Sequence, residues 1–168
     1  MRWLRFAIGL LLALTLHSLL DSFAPNALAF FNPYIILVIY YSMGGNIVGA
    51  IFAGIAAGLV QDAFSNAMFG LHAFSLTVCA YVVAYINSRL ALRGTLAFGA
   101  CLAGAVIVNE LVIYILVNLL LKQRIEMFEQ ALLVKTIITL LFGMLVYQLL
   151  RMFLREEPVE ATKRTTGW

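Results

Sequence analysis

The sequence predicts an all-α protein, a polytopic transmembrane bundle of about six helices, and three observations carry that prediction. Of 168 residues, 64% are hydrophobic and only 11% are charged, with a mean hydropathy of +1.00. Soluble domains run at roughly 45–50% apolar and about 25% charged. No soluble core of this size hides so much apolar side chain, so the solvent is lipid. The apolar residues also fall in runs close to the ~20 residues that cross a hydrocarbon core of about 30 Å as a helix. Every backbone polar group in lipid needs an internal partner, which makes such runs helices. Finally, the basic residues gather between and after the runs. Residues 1–155 are expected to form one transmembrane bundle and 156–168 a flexible cytoplasmic tail.

Each helix is justified in turn. Trp3–Leu20 fits one span. Pro25, Asn26, Asn32 and Pro33 then interrupt the chain as an extracytoplasmic loop. From Ala27 to Val60 the chain is almost wholly apolar, too long for one span at about 1.5 Å per residue. Gly44-Gly45-Asn46 is the expected break, giving Pro33–Met43 and Asn46–Val60. A short polar segment around Gln61–Asp62 and Ser65–Asn66 leads to Leu71–Asn87, so Gly44–Arg89 reads as a helical hairpin with one acid at its turn. Leu96–Leu121 and Ala131–Leu150 complete the set. Gln123–Gln130 mixes charge with Ile125, Met127 and Phe128 and suits a short interfacial helix. The tail Glu156–Trp168 is polar and contains a proline.

Orientation follows from lysine and arginine placement. Arg2, Arg5, Arg89, Arg93, Arg151, Arg155, Lys163 and Arg164, eight of the eleven basic residues, fall on one side if there are six spans. That side is cytoplasmic, with both termini on it. Lys122 and Arg124 fall on the other side beside Glu126 and Glu129, and Lys135 is expected to snorkel to the interface. The N-terminus also mimics a signal peptide, with Ala27-Leu28-Ala29 as a cleavage site. Because the site lies far past the end of the apolar run, we read an uncleaved first helix.

Several chemistries find no support. A net charge of +3 is too small to imply nucleic acid. Cys79 and Cys101 lie inside apolar runs without metal-binding spacing, so neither a disulfide, a metal nor a cofactor is expected. His72 and Ser75 share a helix face and form a catalytic triad with Asp62 on paper. Ser75, however, has no nucleophile-elbow context, so no catalytic residue is assigned.

The remaining polar and small residues have two readings each. Gly45/Gly49 and Gly54/Gly58 form GxxxG pairs with Ala50, Ala53 and Ala57 between them. Small residues let membrane helices approach closely, either inside this bundle, our first reading, or against a partner helix. Asp62 either caps its own turn or meets a basic residue of a partner, since an unpaired carboxylate is costly in hydrocarbon. Asn109-Glu110 lies mid-way along the fifth run, near the bilayer centre, so Glu110 should face protein: a neighbouring polar group, a serine or threonine of an adjacent helix, or a partner. His17 is expected to reach the outer interface, and His72 to open the fourth helix.

The run Gly58-Leu59-Val60-Gln61-Asp62, followed by Phe69-Gly70-Leu71-His72-Ala73, resembles the MreD family of bacterial rod shape-determining membrane proteins. Pro33 at the start of the second span agrees, and the resemblance is clearest over Pro33–Leu90. Two features depart from the family pattern. Tyr34 stands where an acid often follows the proline, and Ser42–Asn46 lacks the basic residues often found there.

The resemblance implies a non-enzymatic scaffold subunit of the cell-elongation machinery (the elongasome) in the inner membrane, engaged in cell shape and peripheral peptidoglycan synthesis. Implied partners are MreC, the MreB filament, and a peptidoglycan glycosyltransferase–transpeptidase pair, directly or indirectly. Partner-contact candidates are Gly58, Asp62, Gly70 and His72 on the outer side, with Arg89 and Arg93 for cytoplasmic or anionic-lipid contact. The bundle is implied to be similar to the substrate-binding subunits of energy-coupling-factor transporters, which supplies a rival: a small-molecule-binding subunit of a vitamin-type transporter. Those subunits usually carry an AxxxA face on the first helix, whereas Ala7 and Ala13 here are six apart. The outer loops also offer only a sparse polar set for a ligand.

Overall fold

Six α-helices and no strand make up the described residues of the computed structural model, which are 2–23, 31–44, 46–65, 68–90, 94–121 and 129–153. In chain order they are α1 (Arg2–Phe23), α2 (Pro33–Ser42), α3 (Ile47–Phe64), α4 (Leu71–Leu90), α5 (Thr95–Leu121) and α6 (Glu129–Phe153). α1, α3, α4 and α5 are long and apolar enough to cross a bilayer, while α2 and the Thr136–Gln148 part of α6 are shorter apolar helices. The large exposed side chains are apolar along these helices, from Leu4 and Leu11 on α1 to Leu141 and Leu145 on α6. That is the surface lipid requires.

The shortest helix is the centre of the bundle. α2 has ten residues, about 15 Å, yet it touches each of the other five helices. Tyr34, Ile35, Val38 and Ile39 are fully buried there, with Phe98, Leu102 and Val106 of α5 and Leu76 of α4 in the same core. A helix half as long as the bilayer is thick leaves its ends at membrane depth, where free backbone groups cost several kcal/mol each, roughly, unless bonded. The sequence supplies partners at both ends. Asn32 precedes Pro33, which needs no donor at the first helical position, and the Asn32 side chain accepts from the Tyr34 and Ile35 N–H groups at 3.0 and 3.4 Å. At the other end the Asn87 amide of α4 donates to the Met43 carbonyl, and Ser42 Oγ donates back to the Val38 carbonyl at 2.7 Å. The expected break at Gly44–Asn46 is present, with Asn46 capping α3 through the Gly49 N–H at 3.3 Å.

α3 and α4 form the expected hairpin, and their contact is made by small residues. α3 buries Gly49, Ala50, Ala53, Gly54, Ala57 and Gly58. A Cβ added at Gly54 would stand 2.8 Å from Leu76 O and Thr77 Cα, and one at Gly58 would stand 2.2 Å from Ala73 Cα. The Gly54/Gly58 pair therefore serves packing inside this bundle, not a surface for another helix. α3 also runs further than Val60, continuing to Phe64 and taking Gln61 and Asp62 into its last turn.

The outer loop at Pro25–Asn26, the Ala27-Leu28-Ala29 site, Gly45, Asn66, Arg93, Lys122, Arg124 and Glu126 lie outside the described residues, as does the 156–168 tail. So do most of Gln123–Gln130 and the side chains of Glu129, Lys135 and Arg151.

Candidate functional site

An acid in the last turn of a helix is misplaced by its own helix, because the carbonyl end of the macrodipole repels negative charge. Asp62 resolves this by pointing at the next helix. α4 begins at Leu71 and its preceding residue is Gly70, which has no side chain to cap with and takes φ +96°, a conformation glycine adopts freely. The carboxylate supplied from α3 does the capping instead. Asp62 Oδ2 accepts from the Gly70 N–H at 2.9 Å and the Ala73 N–H at 3.0 Å. Oδ1 accepts from the His72 N–H at 3.0 Å and lies 2.9 Å from His72 Nδ1. A carboxylate only accepts, so the hydrogen is on Nδ1. Asp62 is 3% exposed and His72 half-buried.

This geometry explains why GLVQD and FGLHA occur as a unit. Gly58 lets α4 approach, Asp62 caps it, Gly70 turns the chain, and the His72 ring closes one side of the carboxylate. The Asp62 carboxylate is thus directed into the turn, and its four donors come from this chain. Gly58 faces Ala73 in the same way. Gly70 and His72 lie at the half-exposed rim, and the strongly exposed side chains around the turn are Phe64, Met68 and Phe69. Sequence reasoning passed over these three because single apolar residues in a membrane protein carry no pattern.

A second polar layer backs the turn. Asn32 Nδ2 donates to Gln61 Oε1 at 3.3 Å, tying the start of α2 to the end of α3. Ser75 Oγ donates to Asn109 Oδ1 at 2.8 Å and approaches the Asn109 carbonyl at 3.1 Å, tying α4 to α5. Ser75 therefore has its hydroxyl on Asn109, while the Asp62–His72 pair stands without it. Asn109 is buried, and its Nδ2 donates to Glu110 Oε1 at 3.2 Å; Glu110 itself is half-buried. Glu110 thus meets one of its expected outlets, the neighbouring polar Asn109, which in turn holds a serine of α4.

His17 is half-buried: its ring lies 5.5 Å from that of Tyr34, and with Phe31, Asn32, Pro33, Gln61, His72 and Asn109 it lines a cavity of about 90 Å³. Five of those seven lining side chains are polar, so the space suits water or a small polar group. Among the described residues no cluster of three or more His, Cys, Asp or Glu could hold a metal ion. At the far end of α4, Arg89 is exposed and lies over the Tyr85 ring.

The Ser75–Asn109 bond gives a modest prediction. Ser75→Ala should cost about 0.6 kcal/mol and no more than about 1.7, the range of interhelical hydrogen bonds in membranes. Asn109→Ala should cost more, since it also opens space in the core. SDS-driven unfolding in mixed micelles measures both, and the double mutant should lose less than the sum; additive losses would show that the two side chains are not coupled.

Comparison with known protein families places the chain. A family model described as MreD, rod shape-determining protein MreD, matches residues 1–153. No curated protein and no solved structure matches the chain.

Proposed function

The chain belongs to the MreD family of rod shape-determining proteins, and from that premise we propose that it acts as a non-enzymatic scaffold subunit of the bacterial cell-elongation complex. The family is one of shape-determining membrane proteins, part of the Mre rod-shape system, and the chain is a multi-pass inner-membrane protein. The finer reading is that it contacts MreC through the α3–α4 turn on the outer side. Contact with the MreB filament and with the glycosyltransferase–transpeptidase pair, direct or through MreC, supports peripheral peptidoglycan synthesis. Both termini, Arg89 and Arg93 are then cytoplasmic.

The family match over residues 1–153 carries this reading. The turn geometry supports it by holding the start of α4 beside exposed apolar side chains. With Asp62 holding Gly70 and the start of α4, Phe64 at the end of α3 and Met68 and Phe69 just before α4 stand 58%, 46% and 73% exposed. Apolar anchors held in place before binding lose little freedom when a partner covers them. Asp62 then serves the contact by positioning, and Gly70 and His72 form its rim.

The rival, a vitamin-binding transporter subunit, is less well supported. Sites for drug-sized ligands run at about 300–1,000 Å³, whereas the polar cavity here measures about 90 Å³.

A photocrosslinker at Phe69 tests the scaffold reading in the native membrane. It should trap MreC, and deletion of the gene should round the cells. Nanomolar binding of a vitamin by the purified chain, with no MreC adduct, would overturn it.

A further inference from the structure

One face of α4 carries a ladder that neither the hairpin nor the core uses. Tyr81, Tyr85 and Arg89 follow one another at four-residue spacing and so line one helix face. Tyr81 and Tyr85 are 46% and 44% exposed. Their rings stack with centroids 6.0 Å apart and planes 24° from parallel. The Arg89 guanidinium lies 5.6 Å from the Tyr85 ring centroid. It folds back along its own helix toward the bilayer, where an arginine at a helix end would ordinarily extend into water. Among the described residues no carboxylate pairs with Arg89.

We propose that this ladder is a binding site for the phosphate of an anionic phospholipid. α4 has 20 residues, about 30 Å at 1.5 Å each, which matches the hydrocarbon thickness and brings its last turn to the headgroups. A guanidinium held over a ring face in a cation–π contact leaves N–H groups free, and these match two phosphate oxygens. The same contact biases the guanidinium toward this position before the lipid arrives. The two tyrosine rings below it are amphipathic surfaces of the kind that sit at the membrane interface, and acyl chains can lie against them. A lipid fits this face better than a protein does, because the cation is displaced toward the acyl region and, among the described residues, it meets an aromatic ring and no acid. The site does not rest on the scaffold reading; it needs only that α4 span the membrane.

The test uses the full chain in mixed micelles, titrated separately with phosphatidylglycerol and with phosphatidylcholine and followed by native mass spectrometry. The parent should retain phosphatidylglycerol in preference. Arg89→Gln should weaken that retention about tenfold, the usual weight of one charge-assisted bond, and Tyr85→Leu about threefold, the weight of an exposed cation–π contact. Arg5→Gln, which removes an exposed charge elsewhere, should leave it within about twofold, the scale of an exposed charge acting without a built site. All three side chains are outside the core, so the thermal midpoint should hold and report intact folding. Equal retention of the two lipids by the parent, or equal effects of Arg89→Gln and Arg5→Gln, would overturn the site. So would a photocrosslinker at Tyr85 that traps a protein in place of lipid, which would assign the face to a protein partner.

Discussion

Asp62→Ala is expected to destabilise the protein by about 3–5 kcal/mol, the cost of leaving several buried donors without an acceptor. The change orphans the N–H groups of Gly70, His72 and Ala73 together with the His72 ring N–H, and Gly70 has no side chain with which to replace the cap. Asp62→Asn keeps one acceptor oxygen but turns an NH2 toward N–H groups, so it should lose about 2 kcal/mol. His72→Ala removes one bond and should lose about 1 kcal/mol. SDS-driven unfolding gives the order Asp62→Ala, Asp62→Asn, His72→Ala. The same variants separate the two readings of the acid. If Asp62→Ala kept its stability and still failed to support rod shape, the carboxylate would be acting on a partner and not on α4.

The second large effect is expected from a single methyl group. Gly58→Ala places a Cβ 2.2 Å from Ala73 Cα, 2.6 Å from Ala73 N and 2.7 Å from His72 O. These are backbone atoms, which cannot rotate away, so α3 and α4 must separate. Overpacking of this kind costs about 1–3 kcal/mol and sometimes more, and Gly58→Ala should lie at the upper end because it also pulls Asp62 from its donors. Gly54→Ala, with its nearest contacts at 2.8 Å, should cost less. Gly104 on α5 has nothing within 4 Å of its added Cβ, so Gly104→Ala should be neutral or stabilising by up to about 1 kcal/mol through helix propensity. Thermal midpoints of the three alanine variants in one detergent check the ranking. A Gly58→Ala protein as stable as Gly104→Ala would contradict the packing.

The fold was largely legible because lipid imposes length. All six helices stand where the apolar runs lie, and Gly44–Asn46 breaks the chain where one run is too long for one span. Several pass their expected ends by three or four residues, α1 reaching Phe23, α4 Leu90, α6 Phe153 and α3 Phe64, the last taking Asp62 into its helix. Periodicity could not show this, because nothing local favours an acid at a helix C-terminus; its compensation comes from α4. The small residues of α3 were legible as a packing face, but not the helix they pack on.

The site was legible only in part. GLVQD and FGLHA stand out as a pair, and their spacing as a turn, but not the direction of the carboxylate. Sequence left Asp62 either satisfied within its own turn or meeting a basic residue of a partner, without singling out the start of α4. In the fold the cavity beside the turn is lined by Gln61 and His72 together with Asn109, a residue midway along α5. The turn therefore stands against the body of that helix and must bond its own polar groups. His17 lines the same cavity, a neighbourhood that helix spacing alone does not show. Asn32, Gln61 and Asn87 carried no motif. Their roles follow from α2 being only ten residues long at the centre of the bundle, a fact about neighbours and not about spacing.

By itself, then, the sequence determined the solvent, the class and the number of helices, because transfer free energy and helix length depend on composition and run length alone; the family came from the GLVQD and FGLHA resemblance and the family match. Tertiary structure decided what each polar residue does. A carboxylate, an amide or an imidazole in a membrane is fixed by the one unpaired donor or acceptor within about 3 Å of it, and that partner is chosen by packing. For Asp62 the partner is the uncapped start of α4, eight to eleven residues further along the chain.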